Sequence, residues 1–364
     1  MQQNQLCVGV IGAGAISQIY LTNMIHKFDN LRVKKIAAAH LSSAQKKAKE
    51  FDIEACTLEE LLQDPEIDMV VNLTPVGAHY ELIKAALMAG KHVYTEKTMT
   101  DSFEKSLELV KLAEEKGLYL GCAPDTFMGS AIQTAKKVIE EGKIGKVNSF
   151  AVSANRDNEL LLSLFSFLRQ PGAGVINDYA VYYITALVSL LGPVKRVGGI
   201  CRTPYPTHIN ILPQSPDYGK VMDTPNESEA AAILILKNGI MGTVNMTCDS
   251  IIQDQHFFAI YGSEGILYLS DPNSFGGEIH YLPKAGSYTE QPMPVIPEPV
   301  NEYSDNSRGL GPSDMANAIL HERETGDRLP NQACKELALH VQEILEAILK
   351  GGEEGAFYDM KTAF

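Results

Sequence analysis

Glu96 and Lys97 form an acid–base pair directly after a short strand-like stretch, His92 to Thr95. A lysine at the end of a strand can hydrogen-bond an oxygen on which negative charge develops during a reaction. The commoner fate of a Glu–Lys pair taken alone is a solvated ion pair at the surface. The pair therefore becomes a candidate for chemistry only if other reactive residues accompany it.

A second set of reactive side chains lies in the segment from Gly172 to Tyr183, where a glycine turn precedes a helical sequence. Asp178 and Tyr182 are four residues apart, so on a helix their side chains share a face. A phenol with a pKa of about 10 is a poor base at neutral pH, but a close ammonium group favours its ionised form. The segment predicts either a proton-transfer pair or a half-buried helix whose tyrosine reaches the surface.

A third motif is a glycine turn, Gly12 to Ser17, between the apolar run Leu6 to Ile11 and a helical sequence. Its glycines permit a close approach of the backbone to a pyrophosphate, and the helix that follows directs N–H groups at that anion. Ser17 stands at the third glycine position of the dinucleotide-binding pattern. Because the motif opens a series of alternating strands and helices, it predicts a dinucleotide site. The predicted contacts are Gly12, Ala13, Gly14, Ala15 and Ile16.

The end of the second predicted strand lacks the acidic residue that usually binds the ribose of NAD. The region offers His40, Ser42 and Ser43 instead. Either these side chains accommodate a 2′-phosphate, or backbone and water alone hold the ribose. Ser42 or Ser43 is also expected to cap the next helix. The choice between NAD and NADP stays open, with NAD slightly favoured.

Thr74, Pro75 and His79 follow the third apolar strand, so they belong to the edge of a parallel sheet where cofactors bind. Alone, this pattern is better explained by a strand that ends in a proline turn, with a histidine on a helix face. Beside the glycine turn, it adds these three residues to the predicted cofactor contacts, together with Glu96 and Lys97.

The reactive residues need a scaffold, and the sequence predicts two domains. Residues 1–123 alternate strand and helix patterns, which predicts a doubly wound parallel sheet of the Rossmann type. Residues 124–364 contain a run of strands joined by glycine turns, which predicts an α/β domain with a large, mostly antiparallel open sheet. An amphipathic helix is predicted over residues 332–349, and proline-rich loops over 204–225 and 283–308. The strands expected in the second domain are Val147–Ala154, Ala230–Leu236, Gly242–Thr247, His256–Tyr261 and Ile266–Leu269.

Composition excludes several kinds of partner. The 364 residues carry a formal charge of −14, whereas nucleic acid or an anionic membrane would require a basic face. No apolar stretch approaches a membrane-spanning length. Six scattered cysteines without a CxxC pair predict free thiols in a reducing cytoplasm, and no metal site is predicted.

Taken together, these stretches resemble the Gfo/Idh/MocA family, which includes glucose–fructose oxidoreductase and inositol dehydrogenase. The resemblance spans nearly the whole chain and includes the glycine turn, AGKHVYTEK, GCAPDTF, EEGKIGKV and the Gly172–Tyr183 segment. It implies a Rossmann domain followed by an α/β domain whose open sheet often makes oligomer contacts. It therefore also implies a homo-oligomer, either a dimer, a tetramer or a larger assembly.

The resemblance implies roles for individual residues. Lys97 matches the lysine of the family's Glu-Lys-Pro motif, which contacts the nicotinamide ribose and the substrate. Asp178 matches the family's aspartate, and Tyr182 stands where the proton-transfer residue is usually histidine. Thr98 replaces the motif's proline, before which members tend to have a cis peptide bond, so the geometry of that bond is open. Ala180 replaces a glycine that usually lies between the aspartate and the proton-transfer residue.

The function predicted is hydride transfer between NAD(P) and a secondary hydroxyl or ketone of a sugar or glycoside, with glucoside 3-oxidation as one version. Lys97, Asp178 and Tyr182 are the predicted catalytic residues. Whether the cofactor exchanges freely or stays bound and is recycled is left open. The alternative is a non-catalytic dinucleotide-binding regulator or scaffold. Residues on loops or strand ends expected to face the cleft, and so to contact substrate, are Asp125, Arg156, Tyr183 and His256.

Overall fold

The computed structural model describes residues 5–251, 255–284, 291–294, 300–354 and 357–364. The chain divides into two compact units. One comprises Met1–Met128 with Asn306–Gln342, and the other Gly129–Asp305 with Glu343–Phe364. The first segment of the first unit ends at Met128, close to the predicted domain boundary after residue 123. The segment Asn306–Gln342 also belongs to the first unit, which the sequence did not predict.

The described residues form the following α-helices and β-strands, each set numbered in chain order. The helices are α1 Ser17–His26, α2 Leu41–Phe51, α3 Leu58–Gln63, α4 His79–Met88, α5 Phe103–Glu115, α6 Ser130–Glu140, α7 Asn158–Leu164, α8 Val181–Leu191, α9 Leu310–Thr325 and α10 Lys335–Glu354. The strands are β1 Leu6–Ile11, β2 Leu31–Ala37, β3 Glu54–Cys56, β4 Met69–Asn72, β5 His92–Thr95, β6 Leu120–Cys122, β7 Val147–Asn155, β8 Val194–Arg202, β9 Thr207–Ile209, β10 Val221–Asp223, β11 Glu229–Leu236, β12 Met241–Thr247, β13 Gln255–Gly262, β14 Gly265–Tyr268, β15 His280–Pro283, β16 Met293–Pro294 and β17 Tyr358–Asp359.

The first unit contains a six-stranded sheet in the order β3-β2-β1-β4-β5-β6. Its strand pairs are parallel. Every residue of β1 and of β4 is buried, as expected for central strands of a sheet covered on both faces. The strand order reverses between β1 and β4, and in such sheets ligands bind at the carboxyl ends of the strands at this point. The predicted Rossmann sheet is confirmed.

The segment from residue 306 to 342 completes the first unit. The Cys122 N–H at the end of β6 donates to the Ala333 carbonyl oxygen at 3.1 Å. Gly311 in α9 lies so close to Tyr94 that a β-carbon there would be 2.3 Å from the tyrosine hydroxyl oxygen. The strand pattern of residues 1–123 gives no sign of this partner, because the contacts join residues about two hundred positions apart.

The second unit contains a nine-stranded sheet in the order β16-β15-β14-β13-β7-β12-β11-β8-β17. Strand β7 pairs parallel with β12 and antiparallel with β13. The other pairs among the described residues are antiparallel. Buried and exposed residues alternate along β11 and β12, as in a sheet with one face on the core. The large, mostly antiparallel sheet and its five predicted strands are confirmed.

Two local features differ from the predictions, and a third falls partly outside the described residues. The proline-rich stretch 204–225 contains the hairpin of β9 and β10, because strand residues flank its turn. The predicted helix over 332–349 begins at Lys335 and continues to Glu354. The second proline-rich stretch, 283–308, falls partly outside the described residues. Within the residues described, no helix combines the length and apolar character needed to cross a membrane.

Candidate active site

The turn after β1 requires glycine at its first position. Gly12 has a φ of +112°, which L-residues with side chains rarely adopt. A β-carbon on Gly12 would lie 2.8 Å from the carbonyl carbon and oxygen of Leu73. The Gly12 N–H donates to the Ala37 carbonyl oxygen at 2.8 Å, which fixes the turn between neighbouring strands.

Gly14, further along this turn, leaves room for a ligand. A β-carbon on Gly14 would have no heavy atom within 4 Å. Ser17, which stands at the third glycine position, is fully buried, and its hydroxyl donates to the Gly14 carbonyl oxygen at 2.7 Å. Helix α1 has no acidic residue in its first turn. An open glycine cradle before a helix N-terminus without acidic side chains fits a dinucleotide pyrophosphate.

The region after β2 is exposed and has no carboxylate in the first turn of α2. His40 occupies the N-cap position, and its carbonyl oxygen accepts the Ser43 N–H at 2.9 Å. The expected cap by Ser42 or Ser43 is therefore wrong, because both serines already belong to the helix. His40 and Ser42 are exposed, and their contact with the cofactor stays a prediction.

Asn72 joins two strand ends beneath the candidate cofactor site. Its side-chain oxygen accepts the Thr74 hydroxyl at 2.8 Å, and its amide nitrogen donates to the Thr95 hydroxyl at 3.0 Å. Asn72 is 1% exposed, so this network is shielded from solvent. No role was predicted for Asn72, although a lone amide at the end of an apolar strand is a usable signal.

His79 connects the loop after β4 with the loop after β5. Its Nε2 lies 2.7 Å from the Thr74 carbonyl oxygen, and its Nδ1 lies 2.8 Å from the Thr98 carbonyl oxygen. The ring is fully buried, and burial lowers its pKa from the ordinary histidine value. His79 thus lies between the two loops and, as a neutral imidazole with one N–H, donates to one of the two carbonyl oxygens, while Pro75 is exposed beside it. Cofactor contacts of Thr74, Pro75 and His79 stay predictions.

Glu96 and Lys97 follow β5 and are partly buried. The Glu96 N–H donates to the Asn72 carbonyl oxygen at 2.9 Å, which continues the pairing of β4 and β5 by one residue. The Lys97–Thr98 peptide bond is cis, although residue 98 is not proline. Tyr20 of α1 is fully buried, and burial together with the charge of Glu96 raises the pKa of its phenol well above the usual value.

Asp125 occupies a buried position in the first unit. One of its oxygens accepts the N–H groups of Gly309 at 3.1 Å and Gly311 at 2.9 Å, at the start of α9. Burial raises the pKa of this carboxyl to about 6, although the two amides and Arg308 oppose the shift. Asp125 therefore caps a helix from a distant part of the chain.

In the second unit, the structure brings Arg156 and Asp178 together. The guanidinium Nη1 lies 3.4 Å from a carboxylate oxygen of Asp178. The guanidinium carbon lies 4.3 Å from the centre of the Tyr179 ring, at a distance typical of a cation–π contact. Their side chains are 17% and 15% exposed, so the pair keeps limited access to solvent.

The helix that carries the predicted catalytic residues begins with an irregular turn. Residues Ile176–Ala180 are π-helical, and α8 follows directly from Val181. Asp178 lies in the π-helical turn and Tyr182 in the first turn of α8, so the expected regular helix is widened between them. Such π-helical turns occur frequently at functional sites. Tyr182 is partly buried.

A pocket of about 350 Å³, including its open mouth, lies in the second unit beside Arg156 and Asp178. Its other polar lining includes Asn158, Asn226 and Glu227, of which none was predicted from the sequence. Asn226 and Glu227 stand at the end of a proline-rich stretch, where polar residues are ordinary and carry little signal.

Two predicted substrate contacts are buried, contrary to the expectation that they face a cleft. Asp125 is 1% exposed because it caps α9, and Tyr183 is fully buried because its ring packs against Tyr179 and Phe258. His256 is exposed in β13 and pairs with Ala154. Substrate contact by these residues stays a prediction. Among the described residues, no group of three or more His, Cys, Asp or Glu side chains is arranged for a metal ion.

Two sequence models of one family match the chain. Residues 6–123 match the model described as "Oxidoreductase family, NAD-binding Rossmann fold", and residues 132–268 match the "GFO/IDH/MocA C-terminal domain". The chain belongs to the Gfo/Idh/MocA family of oxidoreductases. Its first unit thus contains the NAD-binding domain of that family, as the glycine turn predicts.

Among curated Gfo/Idh/MocA relatives, similarity extends over parts of the chain. Scyllo-inositol 2-dehydrogenase (NADP(+)) IolW of Bacillus subtilis is 29% identical over 190 residues, 52% of this chain and 53% of that protein. The match therefore spans about half the length of that relative. The uncharacterized oxidoreductase sll0816 of Synechocystis is 28% identical over 275 residues, 74% of this chain and 72% of its own.

Solved structures share the fold over nearly the whole chain. Levoglucosan dehydrogenase in complex with NADH and L-sorbose superposes with a TM-score of 0.83 at 21% identity, covering 98% of this chain and 99% of its own. The WlbA dehydrogenase from Bordetella pertussis, in complex with NADH and UDP-GlcNAcA, gives a TM-score of 0.76 at 19% identity and covers 99% of both chains. At these identities the likeness concerns the fold.

Proposed function

We propose that this protein is an NAD(P)-dependent oxidoreductase that acts on a secondary hydroxyl or ketone of a carbohydrate or polyol. The observation that carries the proposal is the open cradle formed by Gly12 and Gly14 in a chain of this family. The similar proteins named for scyllo-inositol and levoglucosan, the latter also solved in complex with L-sorbose, support a polyhydroxylated substrate. Glucoside 3-oxidation is the narrower version that the proposal includes.

We assign cofactor binding to the first unit. When bound, a nicotinamide dinucleotide supplies or accepts the hydride. The backbone of residues 12–16 would hold its diphosphate, and Thr74, Pro75 and Glu96 would contact it further along. His79 would keep the loops around residues 74 and 98 in place. The exposed, uncharged region at His40 and Ser42 suits either NAD or NADP, so both cofactors belong in the test.

The remaining chemistry is assigned to three side chains. Lys97 donates a hydrogen bond to the reacting oxygen and offsets the negative charge that develops on it. Tyr182 takes the hydroxyl proton when the alcohol is oxidised and returns it when the ketone is reduced. Asp178, with Arg156 beside it, binds neighbouring hydroxyl groups and orients the sugar.

Two measurements test this function. Mass spectrometry of the purified protein identifies any nucleotide that copurifies and whether it stays bound. The absorbance of reduced nicotinamide is then followed with levoglucosan, scyllo-inositol, L-sorbose and methyl β-D-glucopyranoside, with NAD and NADP in turn. We expect turnover with at least one of them. Tight binding of a nucleotide without turnover across sugars and glycosides would instead favour the regulator or scaffold.

We also propose that the protein is a homo-oligomer that uses the exposed face of the nine-stranded sheet. One row of residues paired across five neighbouring strands of this face is uncharged: Ile200, Ala231, Asn245, Ser153 and Phe257. Ile200 and Phe257 are 60% and 42% exposed. A broad sheet face with an uncharged row across it suits face-to-face packing against a second copy.

The oligomer is tested by adding one charge at the centre of that face. Asn245→Asp keeps the size of the side chain, and two copies would bring the new carboxylates close together. Val221→Asp is the control, because Val221 is 68% exposed in the separate hairpin. We expect light scattering after gel filtration to show a larger species for the control and a smaller one for Asn245→Asp. Equal masses would contradict this interface. The cytoplasmic location stays a prediction.

A further inference from the structure

The helix start that precedes Asp178 is held by a segment about fifty residues further along the chain. The first N–H groups of any helix have no partner within the helix and need acceptors from elsewhere. The Val175 N–H donates to the Glu227 carbonyl oxygen at 3.1 Å. The Ile176 N–H donates to Oε1 of the Glu227 side chain, also at 3.1 Å.

The glycine turn itself fits closely around Glu227. A β-carbon on Gly174 would lie 2.1 to 2.2 Å from the carboxylate atoms, so only glycine allows the carboxylate to reach the helix start. The neighbouring Asn226 accepts the Gly172 N–H at 2.9 Å. Its amide nitrogen donates to the Gln170 carbonyl oxygen at 2.8 Å. Residues 226 and 227 together hold the whole turn.

Glu227 has no cationic partner in this arrangement among the described contacts. Burial raises the pKa of its carboxyl, and the Ile176 amide opposes the shift only in part. A partly buried carboxyl without a basic partner costs folding free energy unless its oxygens accept hydrogen bonds, as Oε1 of Glu227 does from the Ile176 N–H. Glu227 also lines the pocket that contains Arg156 and Asp178. Its placement is therefore better explained by the turn than by the core.

We propose that Glu227 is a positioning residue that sets the π-helical turn carrying Asp178 and, through it, the start of α8 with Tyr182. It caps the helix from a distant part of the chain, because Val175 at the N-cap position has an apolar side chain that cannot accept a hydrogen bond. The catalytic consequence rests on the function proposed above, whereas the capping role can be tested without turnover.

The first test uses Glu227→Gln, Glu227→Leu and Glu227→Asp. Glutamine keeps an oxygen at the right distance, leucine removes it, and aspartate withdraws it by one methylene while remaining polar. Asn238→Ala is the control, because the Asn238 amide donates to the Leu191 carbonyl oxygen at the opposite end of α8, at 2.8 Å. It removes a helix-anchoring hydrogen bond from the same helix without touching the turn.

Hydrogen–deuterium exchange of peptides spanning residues 172–182 is measured in the full-length protein without substrate. We expect about tenfold faster exchange in Glu227→Leu and Glu227→Asp, and near-normal exchange in Glu227→Gln and in the control. If leucine does not fold, the aspartate variant decides. A normal exchange rate in Glu227→Asp would overturn the proposal. An exchange rate in Glu227→Gln as fast as that in Glu227→Asp would also overturn it.

Turnover provides the second readout, with whichever of levoglucosan, scyllo-inositol, L-sorbose and methyl β-D-glucopyranoside the wild type converts fastest. We expect kcat to fall about tenfold or more in Glu227→Asp, with the Kd for NADH unchanged and kcat restored in Glu227→Gln. A glutamine variant as slow as the aspartate variant would show that the charge matters, and would overturn the capping role. If the wild type converts none of the four, the proposed function fails while the exchange measurement still decides the role of Glu227.

Discussion

The two glycine turns of this protein are built in different ways. The turn after β1 has its partners nearby: Ser17 binds Gly14, and Gly12 binds Ala37 of the adjacent strand. The turn before α8 is instead held by residues 226 and 227, more than fifty positions away from Gly172. One turn can form with its own β-α-β unit, whereas the other requires the surrounding sheet.

A short sequence motif can therefore encode the cofactor turn but not the turn before α8. The cofactor turn is specified by glycine and serine at fixed positions of the local sequence. The turn before α8 depends on hydrogen bonds to residues 226 and 227, which no local sequence pattern predicts. We expect substitutions in the first region to act on cofactor binding, and those in the second to act on the chemistry through geometry.

The largest expected effect concerns Lys97, in the first unit. In Lys97→Ala, kcat should fall by about 100-fold or more, because the reacting oxygen loses its charged hydrogen-bond donor. The initial rate of nicotinamide reduction or oxidation measures it, with circular dichroism to confirm the fold. Lys97→Arg keeps the charge and is the matched control. Unchanged turnover in Lys97→Ala would remove this residue from the chemistry.

The next effect compares two glycines of the same turn. Gly12→Ala places a β-carbon 2.8 Å from the Leu73 backbone at a positive φ, so it should weaken NADH binding about tenfold or more and lower stability. Gly14→Ala meets no protein atom within 4 Å, so its stability should be unchanged. Calorimetry and thermal unfolding measure the two quantities. Weaker NADH binding by a fully stable Gly14→Ala would indicate that the ligand approaches this position.

A smaller effect is expected at the corresponding glycine of the second turn. Gly174→Ala pushes against the Glu227 carboxylate and should lower kcat about tenfold, with little effect on the Kd for NADH. The double variant Gly174→Ala/Glu227→Ala removes the clash but also the cap, so its loss should be less than the sum of both single losses. Additive losses would contradict a direct contact between the two residues.

The smallest effect concerns Asp125, which caps α9 in the first unit as Glu227 caps the turn before α8. Its pKa of about 6 lies above the ordinary value of about 4, because the buried carboxyl is more stable protonated. Its contribution to stability is therefore complete below about pH 4 and is lost as the pH rises through about 6. Asp125→Asn keeps an accepting oxygen and has no such dependence.

Urea unfolding of both proteins at about pH 5 and about pH 8 measures this contribution. We expect the stability of the wild type relative to Asp125→Asn to fall by about 1–3 kcal/mol at the higher pH. His92, whose pKa burial lowers to about 4, acts in the opposite direction, but it is common to both proteins and cancels in the difference. A difference independent of pH would mean that Asp125 titrates normally.

The predictable parts of the structure are those with a local physical cause. The alternating burial of β11 follows from its period of two, and the cofactor turn follows from its glycines. The hairpin at 204–225 was missed because prolines mask its short strands. The π-helical turn at Ile176–Ala180 could not be predicted, because it depends on hydrogen bonds to residues 226 and 227. The contacts of His79 involve two carbonyl groups that only the folded chain brings together.

The return of residues 306–342 to the first unit has a consequence for how the chain is made and rearranged. During synthesis, the first unit cannot form all its contacts at β6 until most of the polypeptide has left the ribosome. The Cys122 N–H in β6 donates to the carbonyl oxygen of Ala333, which is synthesised much later. Chimeras that exchange this unit between relatives consequently need three crossover points, near residues 128, 306 and 342. A single cut would separate the last strand from the segment that covers it.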